Sequence, residues 1–163
     1  MSEPQHSQQS SNGIAVRAAE VSDADALAVI YDDLLRSYGH EPDVDHTPRF
    51  ITQLLQLQWV RFFVATDATG RLLGFIGCSL TYSAVSQRLA LTINDLFVLV
   101  PQRRRGVASA LLAVAERYAR SNGLAKLFVE AATDATVVIR LYERAGFVKL
   151  PHLTLKKELG HGV

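Results

Sequence analysis

Between Trp59 and Val100 the chain holds three apolar runs in close succession, "WVRFFVATD", "LLGFIGCSLTYS" and "RLALTINDLFVLV". Each is long enough for a strand, and the polar stretches between them are short. The first join, "DATGR", carries Gly70 and reads as a hairpin turn. Three strands in a row commit the middle of the chain to a sheet, and the rest must cover it. Before them, "GIAVRAA" from Gly13 reads as a first strand. "SDADALAVIYDDLLRSYG" reads as a helix with Ser22 as N-cap, acids in its first turn and Gly39 as its stop. A loop, "EPDVDHTP", leads to a second helix from Arg49 to about Leu57.

After the three runs comes "RRGVASALLAVAERYARSNG", an amphipathic helix. Val107, Leu111, Ala115 and Tyr118 share one face, and Glu116, Arg117 and Arg120 point elsewhere. "LAKLFVEAA" reads as a strand and "DATVVIRLYERAG" as a helix closed by Gly146. "FVKL" and "LTLKK" read as the last strands. The order is β-α-α-β-β-β-α-β-α-β-β, an α+β fold in one domain with neither repeats nor an internal linker.

Composition narrows the function classes. The 163 residues suit one domain with a substantial core. Seventeen basic and sixteen acidic residues leave a net charge of +1, too little for an ordinary duplex-binding domain. Cys78 is the single cysteine, so no internal disulfide forms, and a free thiol fits a reducing cytoplasm. No Cys/His cluster has zinc spacing, so no metal is expected. No apolar run approaches the ~20 residues of a membrane span. Residues 1–12, "MSEPQHSQQSSN", lack a hydrophobic signal region and read as a disordered tail.

Against this neutral background, Arg103, Arg104 and Arg105 stand together in "VPQRRRGVASALL". A strand feeds this stretch and a helix leaves it. Backbone N–H groups at a helix start are unpaired, and the helix dipole adds partial positive charge. Gly106 and Ala108 lack bulk, so a ligand can approach the backbone. The assembly suits a phosphate or pyrophosphate, though neither a P-loop nor a three-glycine dinucleotide fingerprint is present.

"NDLFVLVPQRRRGVASALL" resembles the signature of the GNAT superfamily of N-acetyltransferases. The family's pyrophosphate loop reads Gln/Arg-x-x-Gly-x-Gly/Ala, and Arg103 to Ala108 matches it. A second family element, a helix ending in Leu-Tyr-Glu-x-x-Gly-Phe, is matched by "LYERAGF", Leu141 to Phe147. The resemblance covers roughly Ile14 to Lys157. It implies a single acetyltransferase domain over residues 13–163. The GNAT fold is a central mixed, mostly antiparallel sheet of about 6–7 strands flanked by about 4 helices. "TYSAVSQRLALTINDLFV" looks most like the diamine and polyamine acetyltransferases, whose relatives are often homodimers.

The resemblance implies transfer of an acetyl group from acetyl-CoA to an amine. Backbone at Leu96, Phe97 and Val98 would pair with the pantetheine arm, and the Val98 N–H would face the thioester oxygen. Arg103, Arg104, Arg105, Gly106, Val107, Ala108 and Ser109 would hold the pyrophosphate. Arg103 fits the motif best, and its two neighbours read equally well as surface charge. Tyr142 would be the general acid, since a phenol of pKa about 10 can protonate a leaving thiolate. Without the motif, Tyr142 is an amphipathic residue with a packed ring and a wet hydroxyl.

The base is less defined by sequence. Polyamine-type relatives carry a Glu-Asp pair where this chain has Asn94-Asp95. Strict alternation puts Asp95 on the face of Leu91, Ile93 and Phe97 unless a bulge intervenes. Asp95 reads as a base, a substrate ligand or a structural acceptor, with deprotonation through ordered water as the alternative. The family often has Asn and Ala where this chain has Ala135 and Val138, so a contact to the pantetheine arm is expected to be lost. Eight of the sixteen acids fall between Glu20 and Asp45, with Arg36 the single basic residue in that span. Such a region attracts a cationic amine, or else serves helix ends and solvent. Asn94, Tyr38, His40 and Tyr82 are further acceptor-side candidates. A small cationic amine is the expected acceptor, with a protein N-acetyltransferase or a silent acyl-CoA-binding module as alternatives.

Overall fold

A computed structural model describes residues 8–9, 13–151 and 154–157. Its strands are β1 (Gln8–Gln9), β2 (Ala15–Ala18), β3 (Val60–Thr66), β4 (Leu72–Ser83), β5 (Arg88–Val98) and β6 (Leu127–Val129). They form one six-stranded sheet in chain order. All neighbours are antiparallel except β5 and β6, which run parallel. Its α-helices are α1 (Ala24–Ser37), α2 (His46–Gln56), α3 (Val107–Ser121) and α4 (Thr136–Arg144). This is the mixed α+β fold the sequence leads one to expect.

The sheet has a core on each face. Phe63, Ala65, Ile76, Cys78, Leu91, Ile93 and Val98 pack with α3 and with Tyr142 of α4. Phe62, Val64, Phe75 and Phe97 pack with α1 and α2. The amphipathic reading of α3 holds, with Val107, Leu111, Ala115 and Tyr118 all buried.

Several elements differ from expectation. Of the tail, Gln8–Gln9 pairs with Ala15–Val16, and its other residues lie outside those described. Ser22 does not cap α1. A 3-10 turn, Val21–Asp23, precedes the helix, and Asp23 accepts the Glu20 N–H at 2.8 Å. Asp23 stands at the N-cap of α1 without a side-chain cap bond, and Arg17 of β2 holds its carboxylate with two bonds of 2.6 and 2.7 Å. The second helix begins at His46, not Arg49. Asp43 accepts the His46 N–H at 3.0 Å, and Pro48 in the first turn forfeits no helical bond. "FVKL" is not a strand. Phe147 instead closes α4, its N–H bonded to the Tyr142 carbonyl at 3.0 Å and its ring edge-on to Tyr142. The described part of "LTLKK", residues 154–157, is not a strand either. Leu153 lies outside the described residues.

Candidate active site

The site is built around a break in β5. Gly77 of β4 pairs with Asp95, but Cys78 pairs with Ile93, so Asn94 has no partner and forms a β-bulge. A bulge residue shifts the alternation by one. Leu91, Ile93, Leu96 and Val98 therefore all face the α3 core, while Phe97 faces α1 and α2. Asp95 shares the face of Phe97. It does not share that of Leu91 and Ile93, as unbroken alternation requires.

β6 pairs with Leu91 to Ile93 and stops there. Beyond the bulge, β5 keeps β4 on one edge and has an open edge on the other, among the described residues. The Leu99 N–H bonds to Leu73 of β4 at 3.0 Å. By alternation the N–H and carbonyl of Val98 point the other way, into the opening. The Val98 carbonyl accepts a bond from Arg103 Nε at 3.1 Å, which confirms that direction.

Asp95 is mostly buried and has no hydrogen-bond or ion-pair partner among the described residues. Burial pushes its pKa up to about 6. Tyr31 lies over the same face, stacked on Phe75 at 5.7 Å and edge-on to Phe50 at 6.1 Å. Phe75 pairs with Phe97, two residues along β5 from Asp95. Burial, with the Asp95 charge adding to it, raises Tyr31 to about 12 and also raises Tyr38. Tyr142 and Cys78 are each pushed to about 12, again by burial first and with Asp95 contributing. One carboxylate thus acts on groups from both faces of the sheet. Tyr142 is 8% exposed, yet its hydroxyl has no hydrogen-bond partner among the described residues.

The pyrophosphate-type loop follows at once. A 3-10 turn, Val100–Gln102, leads to Arg104 at φ 62° and Gly106 at φ 86°. Gly106 is the N-cap of α3, and its left-handed backbone is the reason a glycine stands there. A Cβ at Gly106 would meet nothing within 4 Å, so the approach to the helix start is open. The first bond within α3 runs from Ala110 to the Gly106 carbonyl at 3.0 Å. The N–H groups of Val107, Ala108 and Ser109 precede it and have no helical acceptor. Arg105 is tied to Gln102 at 2.6 Å.

Other expected residues fall outside this cluster. Tyr82 is 77% exposed and pairs with Leu89, five residues along β4 from Gly77 and ~16 Å away at strand rise. Asn94 is exposed and is the bulge residue itself. Ala135 caps α4 without a side-chain bond. The acidic segment is partly spent on structure: Asp23 pairs with Arg17, Asp33 with Arg36, and Asp43 holds the turn before α2. Sequence reading missed Tyr31. Its signal was its place on the buried face of α1, four residues after Leu27. A hollow of about 690 Å³ between α3, β6 and α4 begins at Ser109 and includes Leu112, Phe128, Leu141 and Arg144. Neither Asp95 nor Tyr142 lines it, so it is separate from the Asp95 cluster. No group of three or more His, Cys, Asp or Glu among the described residues could hold a metal ion.

Residues 27–147 match the acetyltransferase (GNAT) family. The chain is 29% identical over 132 residues to the uncharacterized N-acetyltransferase YhfO of Bacillus subtilis (strain 168). That match covers 81% of this chain and 88% of YhfO. A crystal structure of a probable acetyltransferase superposes with a TM-score of 0.79 at 26% identity, over 88% of this chain and 99% of that one. AAC(6')-Iy, solved with the bisubstrate analog CoA-S-monomethyl-acetylneamine, shares the fold. Its TM-score is 0.76 at 20% identity, over 90% of this chain and 98% of that one.

Proposed function

The chain belongs to the GNAT acetyltransferase family and is an acetyl-CoA-dependent N-acetyltransferase, and from that premise we propose that it acetylates a small cationic amine held at Asp95. One observation carries the assignment: a mostly buried carboxylate without a hydrogen-bond or ion-pair partner among the described residues, at the point where β5 leaves β6. A buried carboxylate is normally paired. Here the missing cation is the acceptor's ammonium group. Tyr31 walls the same face and suits the amine's carbon body, and the exposed Tyr38 at the end of α1 is near enough to feel the Asp95 charge. The buried, free Cys78 fits a reducing cytoplasm.

The donor occupies the open edge. The Val98 N–H donates to the thioester oxygen, and the first N–H groups of α3, with Arg104 and Arg105, face the pyrophosphate. Asp95 takes a proton from the ammonium, directly or through water. The freed nitrogen attacks the acetyl carbon, and the oxyanion forms against the Val98 N–H. As the C–S bond breaks, the Tyr142 hydroxyl gives its proton to the thiolate of CoA, and the second proton of the attacking nitrogen restores the Tyr142 hydroxyl. A pKa of about 12 keeps Tyr142 protonated throughout the neutral range. Asp95 at about 6 is ionised at pH 7.5 and is a stronger base than an ordinary carboxylate.

Two measurements test this. Acetyl-CoA binds the folded state and should stabilise it by about 2.7 kcal/mol at a hundredfold excess over Kd. Thiol release should then appear with small mono- or polyamines and not with peptides. Stabilisation without thiol release from any amine would make the protein a silent acyl-CoA binder.

A further inference from the structure

We propose that Arg103 is a positioning residue for the thioester and does not contact the pyrophosphate. This rests on the acetyl-CoA reading above and reassigns one side chain within it. Arg103 opens the family's loop motif, where a cationic side chain invites a phosphate role. Its contacts point elsewhere. Nε donates to the Val98 carbonyl at 3.1 Å, and the guanidinium carbon lies 5.6 Å from the centre of the Phe97 ring. Phe97 is buried in the core beneath α1 and α2, two residues from Asp95. The arginine therefore grips β5 at two places, the open-edge carbonyl and the opposite-face ring.

That grip has a purpose because nothing else among the described residues holds this edge. β6 has ended at Ile93, and Val98 has no strand neighbour there among the described residues. The Val98 N–H and carbonyl point to the same side, so fixing the carbonyl fixes where the N–H aims. Between Val98 and Arg103 the chain makes a 3-10 turn, and then Arg104 takes a left-handed φ of 62°. A non-glycine residue there is strained. A clip across the base of the loop holds that strain and joins the oxyanion donor to the start of α3.

A truncated donor separates the two roles. Acetyl-pantetheine keeps the thioester and lacks the pyrophosphate and nucleotide. Arg103→Lys retains the charge but loses the planar Nε–H and the guanidinium beside Phe97. Arg103→Met loses both donor and charge. Both variants should lower kcat/KM by about tenfold with acetyl-CoA and by the same factor with acetyl-pantetheine. With acetyl-CoA the loss should fall on kcat, the KM staying within about twofold. A loss confined to acetyl-CoA, a KM rise at constant kcat, or full rescue by lysine would make Arg103 a phosphate ligand and overturn the inference. Should Arg103→Met not fold, Arg103→Lys decides through the same two donors and the kcat-against-KM split. A wild-type protein that neither binds nor turns over acetyl-CoA would instead defeat the acetyl-CoA reading itself.

Discussion

In the proposed reaction Asp95 is the base and Tyr142 the acid, and their surroundings treat their charged forms alike. Both are pushed up by burial. For the acid this means holding its proton; for the base it means wanting one. Tyr142→Phe should lower kcat by 10²- to 10⁴-fold while leaving acetyl-CoA affinity within about twofold, measured by thiol release and by calorimetry. Asp95→Asn should abolish the acidic limb of kcat/KM, which falls in the wild type as pH drops through about 6. The same substitution reveals the cost of the site. The folded pKa of Asp95 exceeds the ordinary 3.8, so its full contribution to stability is present below pH ~4 and is lost as pH rises through 6. Asparagine does not ionise. It should raise stability by about 3 kcal/mol at pH 8 and by almost nothing at pH 4, read from thermal melts. The candidate residue types were legible in the sequence, since Tyr142 and the Arg-x-x-Gly loop sit in short motifs. The direction of each side chain was not. Arg103 belongs to the loop by sequence but to β5 by contact.

At the level of elements, periodicity placed the helices and long strands because each buries a regular face. It failed where a single residue breaks the period. Asn94 is invisible as a bulge in "LTINDLFV", since both registers keep every large apolar side chain covered. Opposite Asp95, Gly77 lies under the Phe62 ring, and a Cβ there would come within 2.8 Å of it. Phe62 is buried beside Phe75 and has little room to yield. Gly77→Ala should therefore cost about 1–3 kcal/mol in denaturant unfolding and weaken acceptor binding more than acetyl-CoA binding. α4 offers the reverse opportunity. Ala135 is a poor N-cap, and Asn or Ser there accepts a free helical N–H. Ala135→Asn should raise stability by about 1 kcal/mol, measured by the same unfolding curves. The last strands were misread for a different reason. "FVKL" has strand composition, but Phe147 is drawn back onto Tyr142.

Across the whole molecule, one sheet separates two cores, and β6 leaves the edge of β5 beyond Ile93. Burial pushes the pKa of three weak acids, the partly buried Tyr31 and the buried Tyr142 and Cys78, up to about 12. All three lie above their ordinary values, so the stability they contribute is intact below pH 9 and is lost as pH rises through 12. The melting temperature should fall steeply from pH 9 to 11.5, by circular dichroism, and Tyr31→Phe should flatten part of that fall. The layered architecture was readable from three adjacent strands and an amphipathic α3. The gap was not, because it depends on where β6 stops pairing, which no local pattern encodes. That early stop also sets a timing for solvent. The Leu99 amide bonds to β4, and by register and alternation the Phe97 amide faces β4 while those of Leu96 and Val98 face the opening. Deuterium uptake along this stretch should alternate slow and fast from one residue to the next, and the two fast positions should slow when a thioester donor fills the gap.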